Sequence, residues 1–348
     1  MSQREEHERY LREVIFANSL SSENPSEETY LKALKNSSLH FQRYKEELIR
    51  DYEGKSLLDI EGSNCHKNSF GETIKITNKE KINFNLCDND FNNKLKTNLK
   101  LIEGIGPKKE LKLKKQGYTT LDSLKNHDSY SNKASKITDL LDNASFCEIL
   151  DLLNKNKYSK DCKNNLIRCA SLVECENFKF MDIETLGLSN LPIILIGVAE
   201  IKNNHIITTQ YLLKNKLQEE AVLEGYLSHL DENSVHVTFN GATFDIPYIK
   251  NRCDYYRLDY DIDLPHLDLI VFARHLWKDC LPDCKLQTIE ENFFNLTRVG
   301  DVPGKFIPDY YESYLEFKNI GPLVPIIDHN RQDVISLANF LMKMYGEV

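Results

Sequence analysis

Apolar and polar positions change their period along the chain. Over residues 1–53 apolar side chains recur at helical spacing, as at Leu11, Val14 and Ile15, with breaks predicted at 21–25 and 36–38. Asn24-Pro25 reads as a cap followed by proline in a first helical turn. Between 53 and 86 the period shortens. Gly54, Gly62 and Gly71 punctuate short runs, and Thr73-Ile74-Lys75-Ile76-Thr77 alternates in twos, which predicts a small β-element. Residues 98–124 are helical again except at Gly104-Ile105-Gly106-Pro107, and more helix is predicted over 135–153, followed by an Asn/Lys-rich connection through Asn165. From Asn177 the pattern becomes α/β, with strands over 179–183, 193–201 and 206–212, a helix over 217–230, a fourth strand over 235–239, and helices dominating thereafter. That order predicts a mixed sheet covered by helices. The chain divides on this reading into a helical region with a small β-element (1–93), a helical region containing the glycine interruption (94–172), and an α/β domain (173–348).

With 348 residues, 41% hydrophobic and 28% charged, the chain can bury one large core or two, and wholesale disorder and collagen-like structure are excluded. No run approaches 18 apolar residues; the stretch 191–199 is short and ends at Glu200, so no transmembrane helix is expected. Arg4, Glu5, Glu6, Glu8 and Arg9 open the chain with no apolar stretch of signal-peptide type behind them, which predicts a cytoplasmic protein. None of the nine cysteines forms a C-x-x-C pair, arguing against a disulfide framework and a ribbon-type zinc site. Cys280 and Cys284 sit four apart, the spacing of one helical face, where packing explains them better than metal binding. The net charge of −9 rules out a surface coated for nucleic acid. One local exception stands out: from Lys94 to Lys115 there are eight lysines against two glutamates.

Asp182 and Glu184 close an apolar strand in Phe180-Met181-Asp182-Ile183-Glu184-Thr185-Leu186-Gly187-Leu188. Positions i and i+2 of a strand point to one face, so both carboxylates can serve one hard cation. The triplet alone is weak, since Asp51-Tyr52-Glu53 and Asp59-Ile60-Glu61 repeat it. Only the Asp182 copy is followed by acids in matching settings. Thr238-Phe239-Asn240-Gly241 ends a strand and Phe244-Asp245 opens a helix, while His329 and Asp333 lie one turn apart near the start of the last helix. Four carboxylates and a histidine from three segments can hold two divalent cations, the arrangement that stabilises attacking and leaving oxygens in phosphodiester hydrolysis. Asp328 is predicted to cap the last helix. Asp268 either supports the site or caps the next helix. Asn240 is expected to contact substrate or brace the Asp245 turn, and Leu186 and Phe244 to stack on a terminal nucleotide or join the core.

Together these segments resemble the DEDD 3′–5′ exonucleases of the ribonuclease-H-like superfamily, and in detail its YprB-like branch. The resemblance runs from about 178 to 345 and includes the Asp182–Leu188 signature and Phe239-Asn240-Gly241 leading to Phe244-Asp245-Ile246-Pro247. His266-Leu267-Asp268-Leu269, Ala273-Arg274, Leu276-Trp277, Val302-Pro303-Gly304, Ile307-Pro308 and His329-Asn330-x-x-Asp333 follow in order. It implies a ribonuclease-H-like mixed sheet flanked by helices and two divalent cations, Mg²⁺ or Mn²⁺, on Asp182, Glu184, Asp245 and Asp333. It further implies His329 as general base, Thr185 and Leu186 beside the substrate, and single-stranded 3′ ends of DNA or RNA as partner. In this chain three residues separate the histidine from the last aspartate, where the histidine-type enzymes have four.

Leu101-Ile102-Glu103-Gly104-Ile105-Gly106-Pro107-Lys108-Lys109 resembles a helix-hairpin-helix signature. Gly104 and Gly106 would let the backbone approach a phosphate, the following helix N-terminus would offer free N–H groups, and Lys108, Lys109 and Lys112 would add charge. Such contacts position nucleic acid without reading sequence. The alternatives to an exonuclease are a binding protein with an inactive nuclease fold, or an endonuclease.

Overall fold

The computed structural model describes residues 27–88, 90–143, 145–155, 160–258 and 260–348. The helical spacing at 11–15 and the predicted break at 21–25 lie outside the described residues. In chain order the structure begins with helix α1 (Glu27–Asp51) and strands β1 (Ser63–Asn68) and β2 (Gly71–Lys81). Helices α2 (Phe91–Lys96), α3 (Pro107–Lys115), α4 (Leu121–Leu124), α5 (Ser131–Asn143), α6 (Phe146–Lys155) and α7 (Lys160–Arg168) follow. The C-terminal half comprises β3 (Phe178–Thr185), β4 (Ile193–Lys202), β5 (His205–Leu212), α8 (Glu219–Leu227), β6 (Val235–Thr238), α9 (Asp245–Tyr256), β7 (His266–Asp268), α10 (Leu269–Leu276), α11 (Leu286–Phe294), α12 (Ile307–Phe317) and α13 (Val324–Gly346).

The break predicted at 36–38 does not occur, and α1 runs through it. Asn and Ser each cost only roughly half a kcal/mol in a helix interior, and Phe41 and Leu48 anchor the following turns in the core. The seven strands form one mixed sheet in the order β1-β2-β5-β4-β3-β6-β7. β3, β4 and β5 are an antiparallel meander, and β6 and β7 add parallel to β3. The small β-element predicted for 1–93 is therefore the outer edge of this same sheet, with β2 pairing antiparallel to β5 from Ile74 opposite Leu212 to Lys81 opposite His205. An isolated two-stranded hairpin is marginal in water; docking on β5 buries Ile74 and Ile76. β7, three residues long, is too short to show an alternation in sequence.

The two faces of the sheet carry separate apolar cores. Met181, Ile183, Ile196 and Val198 face α8 through Val222, Leu223 and Tyr226. Phe178, Phe180 and Ala199 face α13 through Leu337, Phe340 and Leu341, and that core continues into the helices of 94–172. Phe84 joins them, its ring 5.8 Å from those of Phe178 and Phe180. Helix α13 therefore crosses the face of β3 that also carries positions 182 and 184. No helix among the described residues is long and apolar enough to cross a membrane, and all nine cysteines are free.

Candidate active site

Along β3, Phe178 and Phe180 are fully buried under α13, and the same face continues into Asp182 and Glu184 at the strand's carboxyl end. Asp245 is the first residue of α9, directly after the β6–α9 turn, and its Oδ1 accepts a hydrogen bond from the Ile183 N–H at 3.1 Å. That bond pins the third carboxylate between the first two. From α13, His329 turns Nε2 to 3.7 Å from Glu184 Oε1 and 3.5 Å from Asp333 Oδ2. The five residues that the sequence grouped thus meet in one site.

Burial and mutual repulsion dominate its electrostatics. Burial, then Asp333, Glu184 and Asp245, pushes the Asp182 carboxyl well above the carboxylate range. Burial raises Glu184 to about 8 against the pull of His329. Burial also raises Asp245 to about 7, against its backbone donors and with Asp268 and Asp333 adding to the rise. Burial would lower the His329 imidazole, but Asp333, Asp301 and Glu184 outweigh it and raise the ring well above its ordinary value.

Four neighbours had no role assigned from the sequence, although Asn330 stood in its closing motif. Arg298 Nε and Nη2 donate to the Glu290 carboxylate, both at 2.7 Å, and Nη2 also lies 2.5 Å from Asp333 Oδ1 as an ion pair without hydrogen-bond alignment. Asp301 Oδ1 sits 2.5 Å from His329 Nδ1 and fixes the ring. Asn330 donates its side-chain amide to the Asp182 carbonyl at 3.1 Å and to Asp182 Oδ2 at 2.9 Å. Arg298 and Asp301 lie in the irregular stretch after α11, where no periodicity marks them. Asp301 could have been found as the acid beside Val302-Pro303-Gly304.

The remaining predicted residues are placed as follows. Asp268 both caps α10, accepting from the Ile270 N–H at 3.3 Å, and clamps the Asp245 turn, accepting from the Asn240 N–H at 2.7 Å and the Ala242 N–H at 3.2 Å. Asn240 is exposed, with a left-handed φ of 69°. It borders an open groove of about 460 Å³ lined by Phe239, Ile270, Arg274 and Lys285. Phe244 precedes α9 and packs partly into the core beside Tyr248. Leu186 does the same at the end of β3, while the Thr185 hydroxyl donates to the Gly187 carbonyl at 2.7 Å. Asp328 does not cap the last helix: α13 begins one turn earlier with Pro325 in its first turn, leaving Asp328 to pair with Arg331 at 3.1 Å. The decoy Asp59 accepts from the Ser56 N–H at 2.6 Å in an exposed turn. Cys280 bonds its thiol to the Trp277 carbonyl at 3.2 Å.

In the lysine-rich turn, Gly104 has a φ of +92°, and a side chain on either Gly104 or Gly106 would meet nothing within 4 Å. Gly106 precedes α3, whose first turn has no side-chain cap. Lys94, Lys96, Lys100 and Lys114 pair with carboxylates, and Lys109 donates to the Gly104 carbonyl at 2.9 Å. Lys108, Lys112 and Lys115 are exposed and have no ion pair among the described residues.

Ribonuclease-H-like nucleases generally use divalent metal ions, and the donor set here is of the kind they need: all-oxygen, with Glu184 and Asp245 buried and Asp182 and Asp333 half-buried, although Asp333 Oδ1 faces the Arg298 guanidinium at 2.5 Å. Among the described residues, no three acidic, histidine or cysteine side chains are arranged as they stand to hold a metal ion; Arg298 and His329 lie among the carboxylates. Residues 179–345 match the family model of the RNase_H superfamily. Over 178 residues the chain is 33% identical to the uncharacterized protein YprB of Bacillus subtilis (strain 168), an alignment covering 49% of this chain and 43% of that protein. The chain thus spans less than half the length of that relative. The sheet, its helices and the family match together give the C-terminal half a ribonuclease-H-like fold.

Proposed function

We propose that the protein is a metal-dependent nuclease that removes nucleotides from the 3′ ends of nucleic acid strands, using two divalent cations, Mg²⁺ or Mn²⁺. The observation that carries this reading is the meeting of Asp182, Glu184, Asp245 and Asp333 with His329 in one buried site at the end of β3. The four carboxylates would hold the cations, which when bound supply charge to offset the phosphodiester and the oxygens that gain negative charge during hydrolysis.

The chain's own residues account for the rest. Asp301 holds Nδ1 of His329, so Nε2 is the atom that faces the site; the surrounding carboxylates favour the protonated ring while their charge is unmet, and with cations held there the ring would be free to take the proton of the attacking water. The water oxygen bonds to phosphorus, the P–O3′ bond breaks, and the 3′ oxygen regains a proton, releasing a nucleoside 5′-monophosphate and leaving a new 3′ hydroxyl. Arg298, clamped by Glu290, offsets charge at Asp333. Asn240 and the groove with Arg274 and Lys285 offer polar and cationic contacts to the strand, and Phe244 and Leu186 border the terminal nucleotide. Remote from this chemistry, the open turn at Gly104 and Gly106 with Lys108, Lys109 and Lys112 would hold the backbone of longer substrates.

The test is a time course on 5′-labelled and 3′-labelled single- and double-stranded DNA and RNA with Mg²⁺, Mn²⁺ or EDTA. Stepwise shortening of the 5′-labelled strand, immediate release of the 3′ label as mononucleotide, and silence in EDTA are expected. Cutting of a circular strand would replace the exonuclease reading with an endonuclease. Binding without any hydrolysis would leave a nucleic-acid-binding protein with an inactive nuclease fold.

A further inference from the structure

Asp182, Gly197 and Gln210 stand opposite one another across β3, β4 and β5. Asn330, fully buried, lies over the middle strand and touches both ends of this row. Its Nδ2 donates to the Asp182 carbonyl and to Asp182 Oδ2, while its Oδ1 accepts from Gln210 Nε2 at 2.9 Å. Gln210 Nε2 in turn donates to the Ile327 carbonyl at 2.9 Å.

The chemistry fixes both amides in one orientation. Flipping Gln210 would set its oxygen against the Ile327 carbonyl, and flipping Asn330 would set oxygen against both acceptors of Asp182. Gly197 leaves the room this requires: a Cβ there would lie 2.1 Å from Asn330 Oδ1 and 2.9 Å from its Cγ. The network is thus built from α13 and three strands around one carboxylate, and it leaves Asp182 Oδ1 without a protein donor among the described residues.

We infer that Asn330 is a positioning residue, holding Asp182 by Oδ2 so that Oδ1 is presented to a divalent cation, with Gln210 setting the direction of its amide. The inference rests on the nuclease reading for what the cation does, but the placement of Asp182 is independent of it. Partners that orient a metal-binding side chain typically change affinity or activity by 10–100-fold when removed. An aspartate at 330 has nearly the same shape yet replaces the donor with an acceptor beside Asp182.

The experiment compares the full-length protein with Asn330→Asp, Gln210→Met and an Asp333→Asn control. It measures Mn²⁺ affinity by calorimetry, the thermal midpoint in EDTA, and kcat and KM on a 5′-labelled single-stranded oligonucleotide. Asn330→Asp should weaken Mn²⁺ binding and lower kcat, each by about 10–100-fold, with KM within about threefold. Gln210→Met should shift both in the same direction by a smaller factor, and it carries the test if Asn330→Asp does not fold. A lower midpoint with unchanged Mn²⁺ affinity and kcat would overturn the proposal by making Asn330 purely structural. A wild-type protein that binds Mn²⁺ but cuts nothing would sink the nuclease reading alone, with the Mn²⁺ affinities still deciding the role of Asn330. Absence of Mn²⁺ binding sensitive to Asp333→Asn would overturn both.

Discussion

At the carboxyl end of β3, Glu184 and Asp245 are buried to 8% and 6% exposure among other carboxylates, whereas Lys108 and Lys112 on α3 project into solvent beside an open turn. The first region holds like charges that repel one another, kept together by a strand, the start of one helix, the second and third turns of another, and a web of donors. The second holds cations that do nothing for the fold. Buried repulsion persists only where the surrounding structure over-determines it, and perturbed acids gathered in one place point to a candidate functional site. Exposed lysines cost nothing to keep, and their role rests on geometry: the unfilled space above Gly104 and Gly106. The two regions should therefore answer mutation differently, the first through turnover and stability, the second through affinity alone.

The comparison breaks first at Asp182. Asp182→Asn keeps the shape and removes one charge, and hydrolysis should fall by about 10³-fold, while binding of a labelled oligonucleotide in Ca²⁺ changes little. A variant with near-normal turnover would mean the chemistry lies elsewhere. Next is Arg298, half-way between the two behaviours: a cation, but with a side chain only 9% exposed and paired with the buried Glu290. Arg298→Met leaves Glu290 without its charge partner, with only the Ser336 hydroxyl still donating to it, and should cost about 3–5 kcal/mol in urea unfolding. A loss below about 1 kcal/mol would place this pair with the surface lysines.

The pH dependence of the metal-free protein sharpens the contrast. Glu184 and Asp245 are raised to about 8 and about 7, and His329 is raised as well. For each group the folded protein binds the proton more tightly than the unfolded chain. The stability this contributes is complete below the unfolded values, near 4 for the carboxyls and 6.5 for the histidine, and is lost as pH rises through the folded ones. The thermal midpoint in EDTA should thus fall from about pH 5 to pH 8, and divalent cations, which compete with those protons, should restore more of it at the upper end. A midpoint flat across that range in EDTA would contradict the buried repulsion.

Much of this site was legible because local periodicity carries it: Asp182 and Glu184 by strand alternation after Phe178 and Phe180, Asp245 by the strand-to-helix turn, His329 and Asp333 by one helical turn. What escaped depends on long-range contact. Glu290 looks like any polar helix residue until tertiary packing buries it to 1% exposure. Arg298 and Asp301 lie in irregular chain, and Asn330 gains meaning only from the register that aligns Asp182, Gly197 and Gln210. The pairing of β2 with β5 likewise joins segments about 130 residues apart, which no local pattern announces. At 36–38 the weak helix propensity of Asn and Ser misled because packing of Phe41 and Leu48 outweighs it.

The smallest effect should come from the lysines. Lys108, Lys109 and Lys112 lie on an acidic chain with 53 acidic against 44 basic residues, and Lys108 and Lys112 are without carboxylate partners among the described residues. Replacing all three by alanine removes no buried contact, so the unfolding midpoint should not move. If their charge meets phosphates, affinity for long strands should drop similarly for every sequence, and the slope of log affinity against log salt should flatten by roughly two to three units. Turnover at saturating substrate should stay near normal, because the β3 site is untouched. Short oligonucleotides, unable to reach both regions at once, should be degraded as before. Equal losses on long and short strands with an unchanged salt slope would reduce these lysines to a solvated helix face and leave the proposed strand contacts to the carboxylate site and the groove beside Asn240.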